Sequence, residues 1–156
     1  REEKSLGQRQ EKPYSSFMTG NFFCNKAIFD RLQFDEALKG YGHEDTLFGF
    51  GLEALKIPLL QLENPVIFAA DDTNKVFLKK TKEAINNLHI LHRKYPEWST
   101  KLRILDFALK IEKKNAKRLF IYAYGPFKKL ISKNLQSKKP KLFFYDLYRL
   151  YYLLRH

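Results

Sequence analysis

Apolar residues follow two different rhythms along the chain. In the second half they recur at helical spacing. Phe77, Thr81, Ala84, Leu88, Leu91 and Tyr95 share one face, which predicts an amphipathic helix ended by Pro96. Ser99 and Thr100 then read as N-caps of a helix carrying Leu102, Leu105, Leu109 and Phe120, broken at Gly125-Pro126. A short helix over Phe127 to Leu135 follows, then the breaker SKKPK and a closing helix from Leu142 to Leu154. In the first half, Leu47, Phe48, Leu52 and Leu55 predict a helix from Glu44 that Pro58 stops. The rest of that half is irregular. The run Phe22 to Cys24 behind Thr19-Gly20-Asn21 predicts a short buried strand over Phe17 to Cys24, followed by a helical turn at Lys26 to Leu32. IPLLQLENPVIF predicts two further short strands around Glu63-Asn64-Pro65. The expected class is α/β, mostly helical, with a few short strands.

Composition narrows this picture. The 156 residues are one domain's length and long enough to bury a core, and 15% aromatics exclude a disordered tail. A single Cys, Cys24, excludes an intrachain disulfide framework and a Cys-based zinc site, and fits a reducing compartment. It reads most simply as a buried small apolar residue. No run approaches the length of a membrane span. The polar lead, residues 1–13, reads as a flexible segment of a longer protein, with 14–72 as a first region and 73–156 as a second.

The net charge of +12 belongs to the second region alone. Residues 1–72 hold 8 basic and 12 acidic side chains, whereas 73–156 hold 21 and 5. Such a surface attracts polyanions as a class, whether nucleic acid, anionic lipid or a sugar diphosphate.

The densest chemistry lies in GYGHED, Gly40 to Asp45, at the expected start of a helix. Glu44 and Asp45 have a structural use there, capping free N–H groups and complementing the helix dipole. They have a chemical use as well: a carboxylate held under a Gly-bracketed loop can take a proton from a bound hydroxyl. Gly49 and Gly51 inside the helix each cost about 1 kcal/mol relative to Ala, which implies close approach of another backbone or a ligand. His43 taken alone reads as a solvated loop residue. His89 and His92 lack a third ligand at metal-site spacing.

Thr19-Gly20-Asn21, then Phe34-Asp35-Glu36, then Gly-aromatic-Gly-x-Glu-Asp at Gly40 to Asp45 is an ordered series. It resembles the second half of the catalytic domain of family 2 glycosyltransferases, inverting enzymes with a GT-A fold. The resemblance covers Tyr14 to about Leu88, and implies that this chain is the acceptor-side, C-terminal part of such a domain followed by a basic helical extension. It implies Asp45 as the general base that deprotonates an acceptor sugar hydroxyl, with Glu44 beside it holding the acceptor or fixing geometry. Gly20 and Asn21 would floor the sugar site, Gly42 would let the loop approach substrate, and His43 would line it. The implied partners are a nucleotide-sugar donor, a glycan or lipid-linked acceptor, and an N-terminal half of the same protein. That half would carry the Asp-x-Asp segment holding Mg or Mn, so this fragment alone is expected to be inactive. The chain departs from the family at Phe68, where relatives often carry His, and Asp71-Asp72 lies on the wrong side of the motif and reads as a helix cap.

The closing helix adds a second theme. Phe143, Leu147, Leu150 and Leu154 would line one face and Phe144, Tyr148, Tyr151 and Arg155 the next, downstream of Lys128, Lys129, Lys133, Lys138, Lys139 and Lys141. This suits either packing within the protein or docking on an anionic membrane at its cytoplasmic face. The rival class is a non-catalytic basic module for nucleic acid or anionic membrane. Against nucleic acid, the aromatics alternate with Leu at helical spacing, as a packed or membrane-facing surface would.

Overall fold

The computed structural model describes residues 4–67 and 72–155. The chain divides into two compact units, one of residues 4–38 and 43–67, the other of residues 39–42 and 72–155, and each is described by itself.

In the first unit, Ser5 and Gln8 form a reciprocal capping box at the head of α1 (Leu6–Glu11). A 3-10 turn at Tyr14–Ser16 follows, then α2 (Lys26–Arg31), capped by Asn25, and α3 (Glu44–Ala54). Helix α3 is the spine of the unit: Leu47, Phe48, Gly49, Phe50, Gly51 and Leu52 are all buried. Phe48 gathers four rings from outside the helix. Phe17 stacks at 5.2 Å between centroids, Phe34 lies at 4.8 Å, and Phe22 and Phe29 at 6.1 and 6.2 Å. The two helical glycines serve the same packing. A Cβ on Gly49 would stand 2.2 Å from the Tyr14 carbonyl oxygen, and one on Gly51 would stand 2.5 Å from Leu32 Cδ1. The close approach expected at these glycines is therefore made by protein. The helix ends at Ala54, ahead of Pro58, and Lys56 just beyond it turns left-handed (φ 54°). Ile57 N–H returns to Leu52 O and Lys56 N–H to Glu53 O, closing a Schellman motif.

The expected strands do not form: among the described residues there is no β-strand. A strand needs a neighbour to take its N–H and C=O groups, and neither Phe17 to Cys24 nor residues 57–67 has one. Side chains anchor them instead. Phe17 and Phe22 are held by Phe48, Tyr14 Oη donates to Ile57 O (3.0 Å), and Arg9 donates to Leu62 O (3.1 Å). Cys24 is half-buried in this irregular segment. Phe68 lies outside the described residues. The mostly helical character holds, without the strands.

Among the described residues of the second unit the regular elements are helices and 3-10 turns. It contains α4 (Asn74–Lys94), a 3-10 turn at Pro96–Lys101, α5 (Arg103–Lys113), α6 (Lys117–Tyr124), α7 (Lys128–Leu135) and α8 (Leu142–Arg155). The cap of α4 is Thr73, whose Oγ1 accepts from Val76 N–H. Asp72 instead pairs with Lys80 at 2.7 Å, and Asp71 lies outside the described residues. Ser99 and Thr100 sit in the 3-10 turn rather than capping a helix, and buried Ser99 meets His92 Nδ1 at 2.7 Å. The single helix expected from Leu102 to Phe120 is two. Asn115 turns left-handed (φ 56°) after α5, with Ala116 N–H on Ile111 O and Asn115 N–H on Glu112 O, a second Schellman stop.

Helices α4 and α8 contribute to both cores of this unit. One core joins Ile85, Leu88, Leu105, Ala108, Leu150, Leu153 and Leu154, and the other joins Leu78, Tyr124, Ile131, Leu135, Tyr148 and Tyr151. The C-terminal half of α8 is thus packed inside the protein, while Leu142 and Phe143 at its start stay exposed. Among the described residues no helix is long and apolar enough to cross a membrane.

Gly49→Ala should destabilise the protein by roughly 1–3 kcal/mol, because the new methyl meets backbone that a side-chain rotation cannot move. Gly7→Ala, with nothing within 4 Å of its added Cβ, should leave stability unchanged or raise it by up to about 1 kcal/mol. Urea unfolding of the two variants checks the contrast; equal effects would contradict the packing of Tyr14 on α3.

Candidate active site

Glu44 and Asp45 are the first two residues of α3. His43, the N-cap, is left-handed (φ 76°) and its side chain makes no capping hydrogen bond. That conformation costs about 1–2 kcal/mol for a residue with a Cβ. Histidine is among the side chains found there more often than most. Gly40 (φ 74°) and Gly42 (φ 100°), which belong to the second unit, are also left-handed.

Asp45 does not cap its own helix. Its Oδ1 accepts two hydrogen bonds from Thr19, one from the backbone N–H at 3.2 Å and one from Oγ1 at 2.5 Å. Two pieces of the sequence series, 26 residues apart, therefore meet at one carboxylate oxygen. The meeting follows from the helix: Asp45 lies one turn before Phe48, on the side where Phe17 stacks. With both Thr19 donors on Oδ1, Oδ2 is the oxygen able to accept a proton from an incoming hydroxyl. Asp45, Glu44 and His43 are all half-buried, so they are reachable from solvent yet set among fixed groups.

Asn21 is also placed. Its Nδ2 donates to Asn64 O at 2.8 Å, tying the exposed Gly20-Asn21 segment to the Glu63-Asn64-Pro65 turn. A Cβ at Gly20 would meet nothing within 4 Å, so that position offers open space above the segment. Gly42 is used differently. It belongs to the second unit, where an added Cβ would stand 2.7 Å from Ala84 Cβ and where buried Asn87 donates to its carbonyl at 2.8 Å. Its missing side chain is explained by that contact with α4. Sequence reasoning singled out Asp45, Glu44, Gly20 and Asn21 but passed over Thr19 and Asn64 as site residues. The signal for Thr19 was present, since it opens the same Thr-Gly-Asn phrase.

The Mg or Mn that the resemblance implies is not served by these side chains. Among the described residues no group of three or more His, Cys, Asp or Glu is placed to hold a metal ion, and no step below runs through one. No protein-family model, curated protein or solved structure matches the chain.

The Thr19–Asp45 pair makes a stability prediction of its own. In a double-mutant cycle of Thr19→Val with Asp45→Ala, measured by urea unfolding, the coupling should be about 1–3 kcal/mol, as for hydrogen bonds to a charged group. Additive effects would mean that the hydroxyl and carboxylate do not act together.

Proposed function

We propose that this chain is the acceptor-side part of an inverting, family 2 type glycosyltransferase with a GT-A catalytic domain, acting as part of a longer protein. The observation that carries the reading is the double hydrogen bond from Thr19 to Asp45 Oδ1, which fixes a carboxylate at a helix start while leaving Oδ2 to work. In this reading Asp45 Oδ2 removes the proton from an acceptor sugar hydroxyl. The oxygen so exposed attacks the anomeric carbon of a nucleotide sugar opposite the leaving diphosphate, inverting its configuration. Glu44 hydrogen-bonds the acceptor, and Gly20 and Asn21 floor the sugar with His43 at its side. Donor binding, and the Mg or Mn that steadies the diphosphate, fall to a segment outside this chain. The acceptor is a glycan or lipid-linked glycan, assembled at the cytoplasmic face of a bacterial membrane for the cell envelope.

A second reading is favoured by one observation. In the second unit Phe127, Leu130, Leu142 and Phe143 are each more than half exposed, three of them line an apolar groove of about 340 Å³, and Lys128, Lys129 and Lys141 are their neighbours in sequence. Exposed apolar side chains with lysines next to them in sequence suit a non-catalytic module resting on an anionic membrane.

Asp45→Asn separates the two. The amide oxygen can still accept from Thr19, so folding should be unchanged by circular dichroism, but the amide cannot take a proton. In the protein carrying its nucleotide-binding portion, transfer from a nucleotide sugar should fall by at least about a hundredfold. Retained transfer would remove Asp45 from the role of base.

A further inference from the structure

Lys75, Lys79 and Lys82 are spaced four and three residues apart along α4, so they form one stripe of positive charge on the helix. They border a groove of about 620 Å³ within the second unit, floored by Tyr148 and Tyr152 of α8 and bordered by Lys128, the first residue of α7. That volume is in the range of small-ligand sites. Among the described residues no carboxylate lines the groove. Lys79 has Glu83 only at 4.0 Å. Lys82 lies over the Tyr152 ring at 4.6 Å and Lys128 over Tyr151 at 5.8 Å, contacts that orient an ammonium without neutralising it.

We propose that this groove binds a phosphate group carried on an apolar body, the phosphate held among Lys75, Lys79, Lys82 and Lys128 and the body against the tyrosine floor. The site is independent of the Asp45 reading. Charge complementarity selects the ligand class: four ammonium groups with no acid lining the site favour a dianion over a carboxylate or neutral molecule. The floor selects the rest of the molecule, because the groove surface between the lysines comes from Val76, Leu78 and tyrosine rings. Burial pushes the phenols of Tyr124 and Tyr148 above their ordinary range. They therefore stay neutral hydrogen-bond donors at pH values where a phosphate ester is dianionic, and add no repelling charge. The phosphate ester could come from solution or from a lipid headgroup, and the same groups recognise both.

The test uses naphthyl phosphate as soluble probe, with inorganic phosphate and naphthol as its two halves, and phosphatidylcholine vesicles with and without phosphatidic acid as the lipid source. Naphthyl phosphate should bind the whole chain more tightly than either half. Lys82→Gln combined with Lys128→Gln should weaken it about tenfold, whereas Lys113→Gln with Lys114→Gln, at the end of α5, should change it less than about twofold. All four lysines are exposed, and unchanged circular dichroism confirms that the variants fold. Vesicle binding that needs phosphatidic acid, is lost in the groove variant and is displaced by naphthyl phosphate would assign the lipid source. Naphthyl phosphate binding without vesicle binding would assign the soluble one. Equal weakening by the two lysine pairs, inorganic phosphate binding as tightly as naphthyl phosphate, or no binding of either source would overturn the site.

Discussion

The first unit depends on the burial of Phe48. Among its described residues there is no sheet, and besides α3 the α-helices are the short α1 and α2, so its irregular segments need something that fixes them without a hydrogen-bonded ladder. Phe48 supplies this by collecting the rings of Phe17, Phe22, Phe29 and Phe34. The ring contacts are worth about 0.5–1.5 kcal/mol each beyond their area, and the area burial adds more. Gly49 then lets the Tyr14 carbonyl reach the helix, and Gly51 admits Leu32. Because Asp45 lies one turn before Phe48, the packing that holds Phe17 also brings Thr19 to the carboxylate. Fold and candidate chemistry thus rest on the same helix face, and the site needs no separate scaffold.

The second unit solves a different problem. Helix α4 places apolar residues on one side for two cores, with Leu78 in one and Ile85 and Leu88 in the other. Its other side is polar, and the lysines at 75, 79 and 82 fall where the helix borders a groove. The strong positive charge of residues 73–156 is therefore organised at one place as well as spread over a solvated surface. The start of α8, with Leu142 and Phe143 exposed, and its end, with Leu154 fully buried, show one helix serving solvent and core in turn.

Much of this was legible in the sequence, because helical spacing is a local property. The positions of α3, α4 and α8 follow from the recurrence of Leu, Phe and Tyr, and Gly49 and Gly51 announced a close approach. The strands were misread because a short apolar run such as Phe22 to Cys24 states that it wants burial without stating its partner, and the partner here is a ring cluster. The division of α5 from α6 escaped notice because Leu109 and Phe120 keep helical phase across it. The stop resides in Asn115, a residue that tolerates the left-handed turn at little cost. The cap of α4 lies one residue beyond the expected Asp71-Asp72, since Asp72 and Thr73 are both good caps and here Thr73 takes Val76 N–H while Asp72 pairs with Lys80. In the site, Asp45 and the Thr19-Gly20-Asn21 phrase are both visible in the sequence, but their meeting at one carboxylate oxygen is read only from the packing of Phe17 on α3.

The central claim is that Asp45, steadied by Thr19, activates a hydroxyl for direct displacement at an anomeric carbon. The most direct measurement is the anomeric configuration of the freshly formed glycoside, read by proton NMR, when the protein with its nucleotide-binding portion is given nucleotide sugars and acceptor glycans. The account predicts a product of configuration opposite to that of the donor. A product that keeps the donor's configuration would contradict it.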